Sequence, residues 1–376
     1  MFPPSVRIIR LCIMKINKIQ LENFRNFDYL ETDFDDVNII WGENAQGKTN
    51  LIEAVYLFTG ARSFRGARDK ELVKFEKEKS RIKIEFENNE REQEAEIIID
   101  NKRSVSLNGV NNKRDELSEE LKAVVFSPVH LSMIKDGPRE RRHFIDAALC
   151  QIKSNYRNLL KEYNRALSQR NSLLKDMVKH PELDSMLYIW NQNLAKIGAK
   201  IIYQRLKYID ALMPYASEIY LGISSNKENI ELKYSGCSEF KEDISDIEEK
   251  LLSAFEESKL PDILNRNTTK GPHRDDIDIL INGKSARIYG SQGQQRSCVL
   301  AIKLAEAALL KEMTGFEPVA LLDDVMSELD EKRQDYILNN IKSSQVFITC
   351  CDKEQILRLK EGKTIHISDG KIIGGE

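Results

Sequence analysis

The sequence predicts an α/β fold that consists of a mixed sheet with helices. A long, mainly helical insertion separates the two parts of the chain that form this core. Two apolar strands predict the sheet. One ends at Trp41 before a glycine-rich turn, and the other ends in the acidic pair Asp323-Asp324. Residues 139–218 carry apolar side chains at three- and four-residue steps, which is typical of amphipathic helices. A helical insertion therefore accounts for the long stretch of chain between the two strands.

Composition and charge indicate a folded protein without a membrane anchor. The chain has 376 residues, a formal net charge of -3, 41% hydrophobic residues and 31% charged residues, so a packed core is feasible. It contains no apolar run of about 18 residues, the length that a membrane-spanning helix needs. Its six cysteines include no C-x-x-C pair, so we expect free thiols and a cytoplasmic location.

The domain organisation follows from changes in pattern along the chain. Arginines break the apolar stretch of residues 1–13, and a strand-like run opens at Met14, so we expect residues 1–13 to be an upstream extension. The α/β core is expected to comprise residues 14–130 and 260–376, and the mainly helical insertion residues 131–259.

Two local signals predict where elements turn or end. Asn108-Gly109 lies between alternating apolar and polar runs and predicts a hairpin turn. Pro181 and Pro214 are expected to interrupt the helices of the insertion, because proline removes a main-chain donor and clashes with the preceding turn.

The glycine-rich turn matches the phosphate-binding pattern G-x-x-x-x-G-K-[ST] in full. It comprises Gly42-Glu43-Asn44-Ala45-Gln46-Gly47-Lys48-Thr49, and Asn50 continues into a helix-forming run. Glycines let main-chain amides wrap a phosphate chain, and the amides at the start of the helix face the same anion. Lys48 is expected to reach the terminal phosphates, and Thr49 to ligate magnesium. The pattern therefore predicts binding of ATP and Mg²⁺.

The acidic pair at the end of the second strand supplies the remaining chemistry of such a site. We expect Asp323 to bind magnesium and Asp324 to polarise the attacking water, so that Lys48 and Asp324 are the candidate catalytic groups. Aspartate is shorter than the glutamate common at the second position, which predicts slow hydrolysis. The alternative is a solvated strand end without catalytic function.

A turn rich in glycine and glutamine, Ser291-Gln292-Gly293-Gln294, precedes an apolar helix. It resembles the signature motif of ATP-binding-cassette (ABC) ATPases, which completes the γ-phosphate site of a partner across a dimer. Ser327 and Asp330 lie in a segment that looks like the D-loop of that class. An ordinary helix N-cap is the alternative for Ser291. Together these motifs predict an ABC-type P-loop ATPase head.

Two basic clusters are candidates for contacts with nucleic acid, although on charge alone an ordinary solvated surface is the favoured interpretation. The candidate DNA-binding residues are Arg62, Arg65, Arg68, Arg139, Arg141 and Arg142.

Several segments together resemble the RecF family of bacterial recombination mediators, and the resemblance runs from Met14 to the C-terminus. They are Leu21-Glu22-Asn23-Phe24-Arg25-Asn26-Phe27, the P-loop with Asn50, Gly137-Pro138 with Glu140-Arg141-Arg142, Gly271-Pro272-His273-Arg274-Asp275-Asp276, and the turn at Ser291. The combination is specific, whereas the P-loop alone is not.

The resemblance implies an ATPase head like those of SMC and Rad50 proteins, without their long coiled coil. It implies an ATP-dependent homodimer that binds single-stranded and duplex DNA at gaps and junctions. It also implies that the protein acts with RecR and RecO to help RecA load, using a slow ATPase as a switch. Arg25 and Asn26 are expected near the nucleotide, Arg65 near phosphate or DNA, and His273 has either a structural or a site role.

The chain departs from the family pattern at two places. Phe64 stands where histidine is usual, and Val129-His130 replaces an acidic pair in a loop that helps to sense magnesium in cassette ATPases. Neither departure changes the expected phosphate-binding or metal-binding residues. The change at Val129-His130 leaves the role of that loop open.

Three other classes share part of this pattern. An ABC transporter ATPase subunit shares the P-loop, signature and acidic strand, but it normally has a switch histidine after the strand ending at Thr349. An SMC- or Rad50-like chromosome protein needs long heptad repeats or a zinc-hook C-x-x-C, and neither is found in residues 139–259. A simple P-loop kinase does not account for the turn at Ser291.

Overall fold

The computed structural model describes residues 14–88, 91–112, 114–131, 133–241, 243–353 and 361–375, so the expected extension 1–13 lies outside the described residues. The fold divides into two compact units. The first comprises the described residues up to Leu131 and from Val299 onward, and the second comprises the described residues within Ser132–Cys298.

The described elements of the first unit are strands and helices, and those of the second are mainly helices. The strands are β1 (Met14–Phe24), β2 (Phe27–Asp33), β3 (Val37–Trp41), β4 (Ser80–Asn88), β5 (Arg91–Ile99), β6 (Arg103–Leu107), β7 (Val110–Asn112), β8 (Ala123–Phe126), β9 (Ile230–Ser235), β10 (Asp276–Ile281), β11 (Lys284–Ser285), β12 (Val319–Asp323), β13 (Val346–Cys350), β14 (Lys363–Ser368) and β15 (Lys371–Gly375). The helices are α1 (Lys48–Leu57), α2 (Asp69–Leu72), α3 (Arg114–Glu120), α4 (Pro128–Leu131), α5 (Pro138–Ile152), α6 (Tyr156–Met177), α7 (Asp184–Ile223), α8 (Ile244–Glu257), α9 (Lys259–Asn265), α10 (Ala286–Tyr289), α11 (Gln292–Thr314) and α12 (Glu331–Asn340), with 3₁₀ turns at Pro181–Leu183 and Met326–Glu328.

One sheet of the first unit is antiparallel, with the strand order β2-β1-β4-β5-β6-β7. Ile82, Ile84 and Phe86 of β4 are buried while the residues between them are not, as the alternation in the sequence predicts. Asn108 and Gly109 both have positive φ, 50° and 76°, and they join β6 to β7. This confirms the predicted hairpin turn.

The second sheet of the first unit carries the ends of the strands that matter for function. Its order is β15-β14-β3-β13-β12-β8. Strands β14, β3, β13, β12 and β8 run parallel to one another, and the edge strand β15 pairs antiparallel with β14. The apolar runs of β12 and β13 are buried throughout, as expected of parallel strands covered on both faces. Because the carboxyl ends of parallel strands meet at one edge, the segments after Trp41, Asp323 and Cys350 come together there.

The second unit consists mainly of helices α5 to α9 with the small sheet β11-β10-β9. Its longest described helix, α7, continues through Pro214, so the prediction that this proline interrupts the helix was wrong. Pro214 is exposed, and Leu212 and Ala216 beside it are buried. Packing of the buried side therefore outweighs the local cost of proline, and water can replace the missing hydrogen bond on the other side.

The second unit extends to Cys298, whereas the sequence placed the end of the insertion at residue 259. The reason is a strand pairing. β10 pairs antiparallel with β9 over the full length of both strands, from Asp276 opposite Ser235 to Ile281 opposite Ile230. This long-range pairing holds residues after 259 in the second unit.

Two further properties concern the whole of the described chain. No described helix combines the length and apolar character needed to cross a membrane. Five cysteines lie in the described ranges, Cys150, Cys237, Cys298, Cys350 and Cys351, and all are free thiols.

Candidate nucleotide-binding site

The P-loop connects the end of β3 to the start of α1, which begins at Lys48. Gly47 caps this helix with φ 117°, a conformation that L-residues rarely adopt. A Cβ atom at Gly47 would lie 2.8 Å from the side chains of both Asn26 and Phe27. Glycine is therefore required here both by the main-chain conformation and by the close approach of β2.

Lys48 is held inside the loop. Its side chain is buried, and Nζ donates to the main-chain oxygens of Gly42 and Glu43 at 2.7 and 2.9 Å. The ammonium group thus lies within the curve of the loop, beside the amides at the helix N-terminus. This arrangement suits a polyphosphate, whose oxygens can replace the two carbonyl contacts.

A chain of amides supports the loop from one side. Asn26 donates from Nδ2 to the Gln46 carbonyl oxygen at 2.8 Å, and Asn50 Nδ2 donates to Asn26 Oδ1 at 2.8 Å. Arg65 in turn donates to Asn50 Oδ1 at 3.0 Å. The structure therefore brings together three residues that the sequence singled out separately.

Arg25 has its guanidinium bound by protein groups. Both oxygens of Glu53 accept hydrogen bonds from it at 2.8 Å, and the Glu71 carbonyl oxygen accepts a third at 3.0 Å. Glu53 is fully buried on α1, so the arginine neutralises a charge that would otherwise be costly to bury. Arg25 is thereby fixed in the wall of a cleft beside the P-loop.

That cleft has a volume of about 650 Å³ and a strongly cationic lining. A tight turn projects Phe75 at its rim: the Lys77 amide donates to the Lys74 carbonyl oxygen at 3.0 Å, and Glu76 has φ 62°. Phe75 is 86% exposed, so its ring has a face open to a ligand. The lining residues are Arg25, Asn26, Asn50, Arg65, Lys70, Glu71, Val73, Lys74, Phe75, Glu76 and Lys77.

Thr49 and Asp323, the two expected metal ligands, are in direct contact. The Thr49 hydroxyl donates to Asp323 Oδ1 at 2.8 Å, and the Thr349 hydroxyl donates to the same oxygen at 3.0 Å. Burial raises the pKa of Asp323 above its ordinary value, and the two hydroxyl hydrogen bonds oppose that rise. The carboxylate therefore depends on its two donors, or on a cation, to carry its charge.

The donor set fits magnesium. A hydroxyl and a carboxylate are hard oxygen ligands, and Mg²⁺ in such sites takes its remaining ligands from water and substrate phosphates. Within the described ranges, no group of three or more His, Cys, Asp or Glu side chains is arranged to hold a metal ion. A cation at Thr49 and Asp323 thus needs the phosphates to complete its coordination.

Asp324 follows directly, in a left-handed conformation with φ 52°. Its amide donates to Thr349 Oγ1 at 2.8 Å, and its carbonyl oxygen accepts from the Ser327 hydroxyl at 2.9 Å. The residue is partly exposed, in contrast to buried Asp323. The two carboxylates therefore differ in environment, as their two expected roles require.

The predicted D-loop continues from there. Asp330 caps α12 by accepting from the Arg333 amide at 3.0 Å, and it forms an ion pair with the same arginine. Ser327 and Asp330 are both exposed. Each therefore combines a local structural contact with an accessible position.

The predicted signature turn belongs to the second unit. The Gln294 amide donates to Ser291 Oγ at 3.2 Å, and the Ser291 amide donates to Gln294 Oε1 at 2.8 Å, which is a reciprocal capping box. Gln294 also donates from Nε2 to Glu228 at 2.6 Å. Ser291 and Gln292 are exposed, and Gly293 is partly exposed. The N-cap interpretation thus holds, and the start of α11 is still accessible to an anion.

The six candidate DNA-binding arginines do not have the same environment. Arg62, Arg65 and Arg68 are exposed in the first unit, and Arg139 is exposed in the second. They therefore stay available for phosphate contacts.

Arg141 is buried, and its prediction as a DNA contact was wrong. It forms two hydrogen bonds to the Asp276 carboxylate at 2.7 and 2.8 Å and donates to main-chain carbonyls before α5. Arg142 is partly buried, and its guanidinium donates to the Asp275 carbonyl oxygen at 2.6 Å. Both side chains bind the segment that leads into β10.

His273 has a structural role within the second unit. Its Nδ1 lies 2.8 Å from the Tyr163 hydroxyl, and its Nε2 lies 3.1 Å from the Thr268 carbonyl oxygen. Burial lowers the pKa of His273 to about 4. The histidine is therefore neutral near pH 7, with both ring nitrogens in hydrogen bonds.

Two residues of the site were not among the predicted ones. Thr349 bonds both acidic residues, and Cys351 Sγ lies 3.7 Å from Lys48 Nζ and 3.2 Å from Asn44 Oδ1. Both lie at the end of β13. The sequence does predict a strand that ends at these residues. It does not show that this strand lies between β3 and β12, which is what brings the two residues into the site.

The chain matches the RecF/RecN/SMC N terminal domain family over residues 15–373. It is 40% identical over 367 residues to the DNA replication and repair protein RecF of Agathobacter rectalis, covering 96% of this chain and 99% of the relative. It is 41% identical over 370 residues to the protein of the same name from Ruminiclostridium cellulolyticum, covering 96% and 98%.

Solved structures agree with this match. The recombination mediator protein RecF of the RecFOR pathway, solved as RecF-ATPrS, has a TM-score of 0.89 and 38% identity, covering 96% of this chain and 97% of that one. The RecF-ATP structure has a TM-score of 0.88, the same identity and the same coverage. The Smc head domain of Pyrococcus furiosus has a TM-score of 0.52 and 19% identity over 96% of each chain, which shows a shared fold. The predicted ABC-type ATPase head is confirmed.

Proposed function

The chain belongs to the RecF family of DNA replication and repair proteins, and from that premise we propose that it is an ATP-dependent DNA-binding protein of recombinational repair. One observation carries the proposal. Thr49 of the P-loop and Asp323 of β12 meet at 2.8 Å although 274 positions separate them. This contact supports a magnesium–triphosphate site built from both segments.

The phosphates of ATP would follow the P-loop amides, with Lys48 at the terminal phosphates and Thr49 and Asp323 holding Mg²⁺. The nucleoside would bind in the cleft that Asn26 and Asn50 help to line, next to the loop. Exposed Phe75 at the rim of this cleft supplies a flat apolar surface for a base. When bound, magnesium would neutralise charge on the phosphates.

Hydrolysis would use Asp324 to orient and polarise a water molecule. The signature turn Ser291-Gln292-Gly293-Gln294 would close over the γ-phosphate of a second copy, with Ser327 and Asp330 near the same interface. Since ATP lies between two copies in this arrangement, binding favours the dimer and hydrolysis releases it. The ATPase would therefore act as a slow switch that DNA binding influences.

DNA binding is assigned to exposed cations. Arg62, Arg65 and Arg68 form a cluster after α1, and Arg139 is exposed at the start of α5. Contacts of this type go to phosphates, so we expect weak sequence preference and a strong dependence on salt. Arg141 is left out because its guanidinium is bound to Asp276.

The relatives support a proposal for the pathway in which the protein acts. The two solved RecF structures are of a recombination mediator protein in the RecFOR pathway. We propose on this basis that the chain acts in the cytoplasm with RecR and RecO at gaps and single-strand–duplex junctions, where it assists RecA loading.

The proposal is tested by measuring binding to gapped, single-stranded and duplex DNA with ATP, with ADP and without nucleotide, across a salt series. We expect ATP to tighten binding and the logarithm of the affinity to fall linearly with the logarithm of the salt concentration. Identical affinities in all three nucleotide states would contradict ATP-gated DNA binding.

A further inference from the structure

Thr349 occupies a central position between the two acidic residues of the site. It lies near the end of β13, with 1% of its surface exposed. Its hydroxyl donates to Asp323 Oδ1 at 3.0 Å and accepts from the Asp324 amide at 2.8 Å. A hydroxyl has one proton to donate, and here that proton is used on the carboxylate of Asp323.

These contacts connect the metal side of the site to the residue assigned to hydrolysis. Thr49 and Thr349 donate to the same oxygen of Asp323, so the Asp323 carboxylate is held from two sides. Asp324 leaves β12 with φ 52°, a conformation that costs energy for a residue with a side chain. The hydrogen bond from its amide to Thr349 holds that turn in place.

We propose that Thr349 is a positioning residue for ATP hydrolysis. Its hydroxyl orients the Asp323 carboxylate for binding magnesium. It also fixes the main chain of Asp324, and this places the Asp324 carboxylate. The inference rests on the proposed ATPase function. Thr349 does not contact the phosphates in this scheme, and it acts through the two aspartates. A displacement of such groups by about 1 Å can lower a rate a hundredfold, because catalysis depends on their alignment.

The proposal assigns the effect on hydrolysis to the hydroxyl of Thr349 and not to the volume of its side chain. Thr349→Val keeps the shape of the residue and removes the hydroxyl, whereas Thr349→Ser keeps the hydroxyl and removes a methyl group. Thr349→Ala is a second variant without the hydroxyl. Thr364→Val, at a buried threonine of β14 in the same sheet, controls for the exchange itself.

The test measures ATP affinity with and without Mg²⁺, the turnover number and KM for each variant, with thermal unfolding to verify folding. For Thr349→Val and Thr349→Ala we expect ATP affinity without Mg²⁺ to change by less than about threefold, since the P-loop is intact. We expect the gain in affinity from Mg²⁺ to shrink, and the turnover number to fall at least about tenfold with little change in KM. Thr349→Ser should restore both properties.

Three results would overturn the inference. The first is that folded Thr349→Val and Thr349→Ala keep the wild-type magnesium effect and turnover number. The second is that Thr349→Ser has neither the wild-type magnesium effect nor the wild-type turnover number. The third is that Thr364→Val loses as much turnover as Thr349→Val. Wild-type protein that binds no ATP would instead contradict the proposed function on which the inference rests.

Discussion

The Thr49 hydroxyl donates to Asp323 Oδ1 at 2.8 Å, across a separation of 274 positions in the sequence. Thr49 lies in the first turn of α1, and Asp323 is the last residue of β12. In this sheet the parallel strand β13 lies between β3 and β12. The P-loop after β3 and the acidic residues at the end of β12 therefore lie at the same edge. The two proposed metal ligands therefore meet at that edge.

Lys48→Met is expected to lower the affinity for ATP at least about tenfold and, with it, to weaken ATP-dependent association with DNA. Methionine has a similar length but carries neither charge nor donors. A hydrogen bond to a charged group is worth about 1.5–3 kcal/mol, which corresponds to roughly ten- to more than a hundredfold in affinity. Equilibrium binding of a fluorescent ATP analogue measures the loss. Wild-type affinity in this variant would show that the loop does not bind the phosphates.

Asp324→Asn is expected to keep ATP binding and to stall hydrolysis, so that ATP-bound dimers accumulate. Asparagine tolerates the left-handed conformation of this position, so the fold should not change. Sedimentation with ATP, together with phosphate release, measures both effects. A variant that stays monomeric with ATP would count heavily against the ATP-dependent dimer.

Phe75→Ala is expected to weaken ATP binding while leaving inorganic tripolyphosphate binding unchanged. Stacking of a base on an aromatic ring is worth about 1–3 kcal/mol, or roughly five- to more than a hundredfold in affinity. Because the ring is 86% exposed, its removal should not affect folding. Competition of both ligands against a fluorescent nucleotide distinguishes the two parts of the site. Equal effects on ATP and tripolyphosphate would place the base elsewhere.

Arg141→Ala is expected to lower the free energy of unfolding by about 3 kcal/mol, because it leaves the Asp276 carboxylate without its buried partner. Denaturant unfolding measures the change. Arg139→Ala is the matched control: its side chain is exposed on the same helix, so stability should change by less than about 0.5 kcal/mol. Similar stabilities for both variants would contradict the structural role of Arg141.

Stability is expected to fall in mild acid because of His273. Its pKa is lowered to about 4, whereas an exposed histidine titrates near about 6.5. Between these values the unfolded chain binds the extra proton, so this contribution is present above about pH 6.5 and is lost as pH falls toward 4. The loss amounts to about 3 kcal/mol at most. Unfolding experiments across this range should show a shallower slope for His273→Gln, and an equal slope would contradict the assignment.

The amount that could be predicted from sequence depends on how local each feature is. The P-loop from Gly42 to Thr49 is one continuous segment whose glycines and lysine identify the chemistry directly. Asp323-Asp324 was found because an apolar strand that ends in two carboxylates is unusual. The hairpin at Asn108-Gly109 was predicted for a similar reason, since two residues determine its turn.

Other features depended on partners that are distant in the sequence. Arg139 and Arg141 look equivalent in the sequence, yet one is exposed and the other is bound to Asp276, because only one face of α5 is buried. The boundary of the second unit moved to Cys298 because β10 pairs with β9. Pro214 stayed within α7 because packing outweighed its local preference.

The sequence by itself therefore determined the fold class, the family and the groups that we propose to bind phosphate and metal, since these are encoded in short segments. Only the tertiary structure decided which side chains support those groups. Thr349 joins Asp323 to Asp324, and Asn26 supports the loop at Gln46. Such contacts depend on the order of strands in a sheet, which long-range packing and hydrogen bonding select and which no local pattern records.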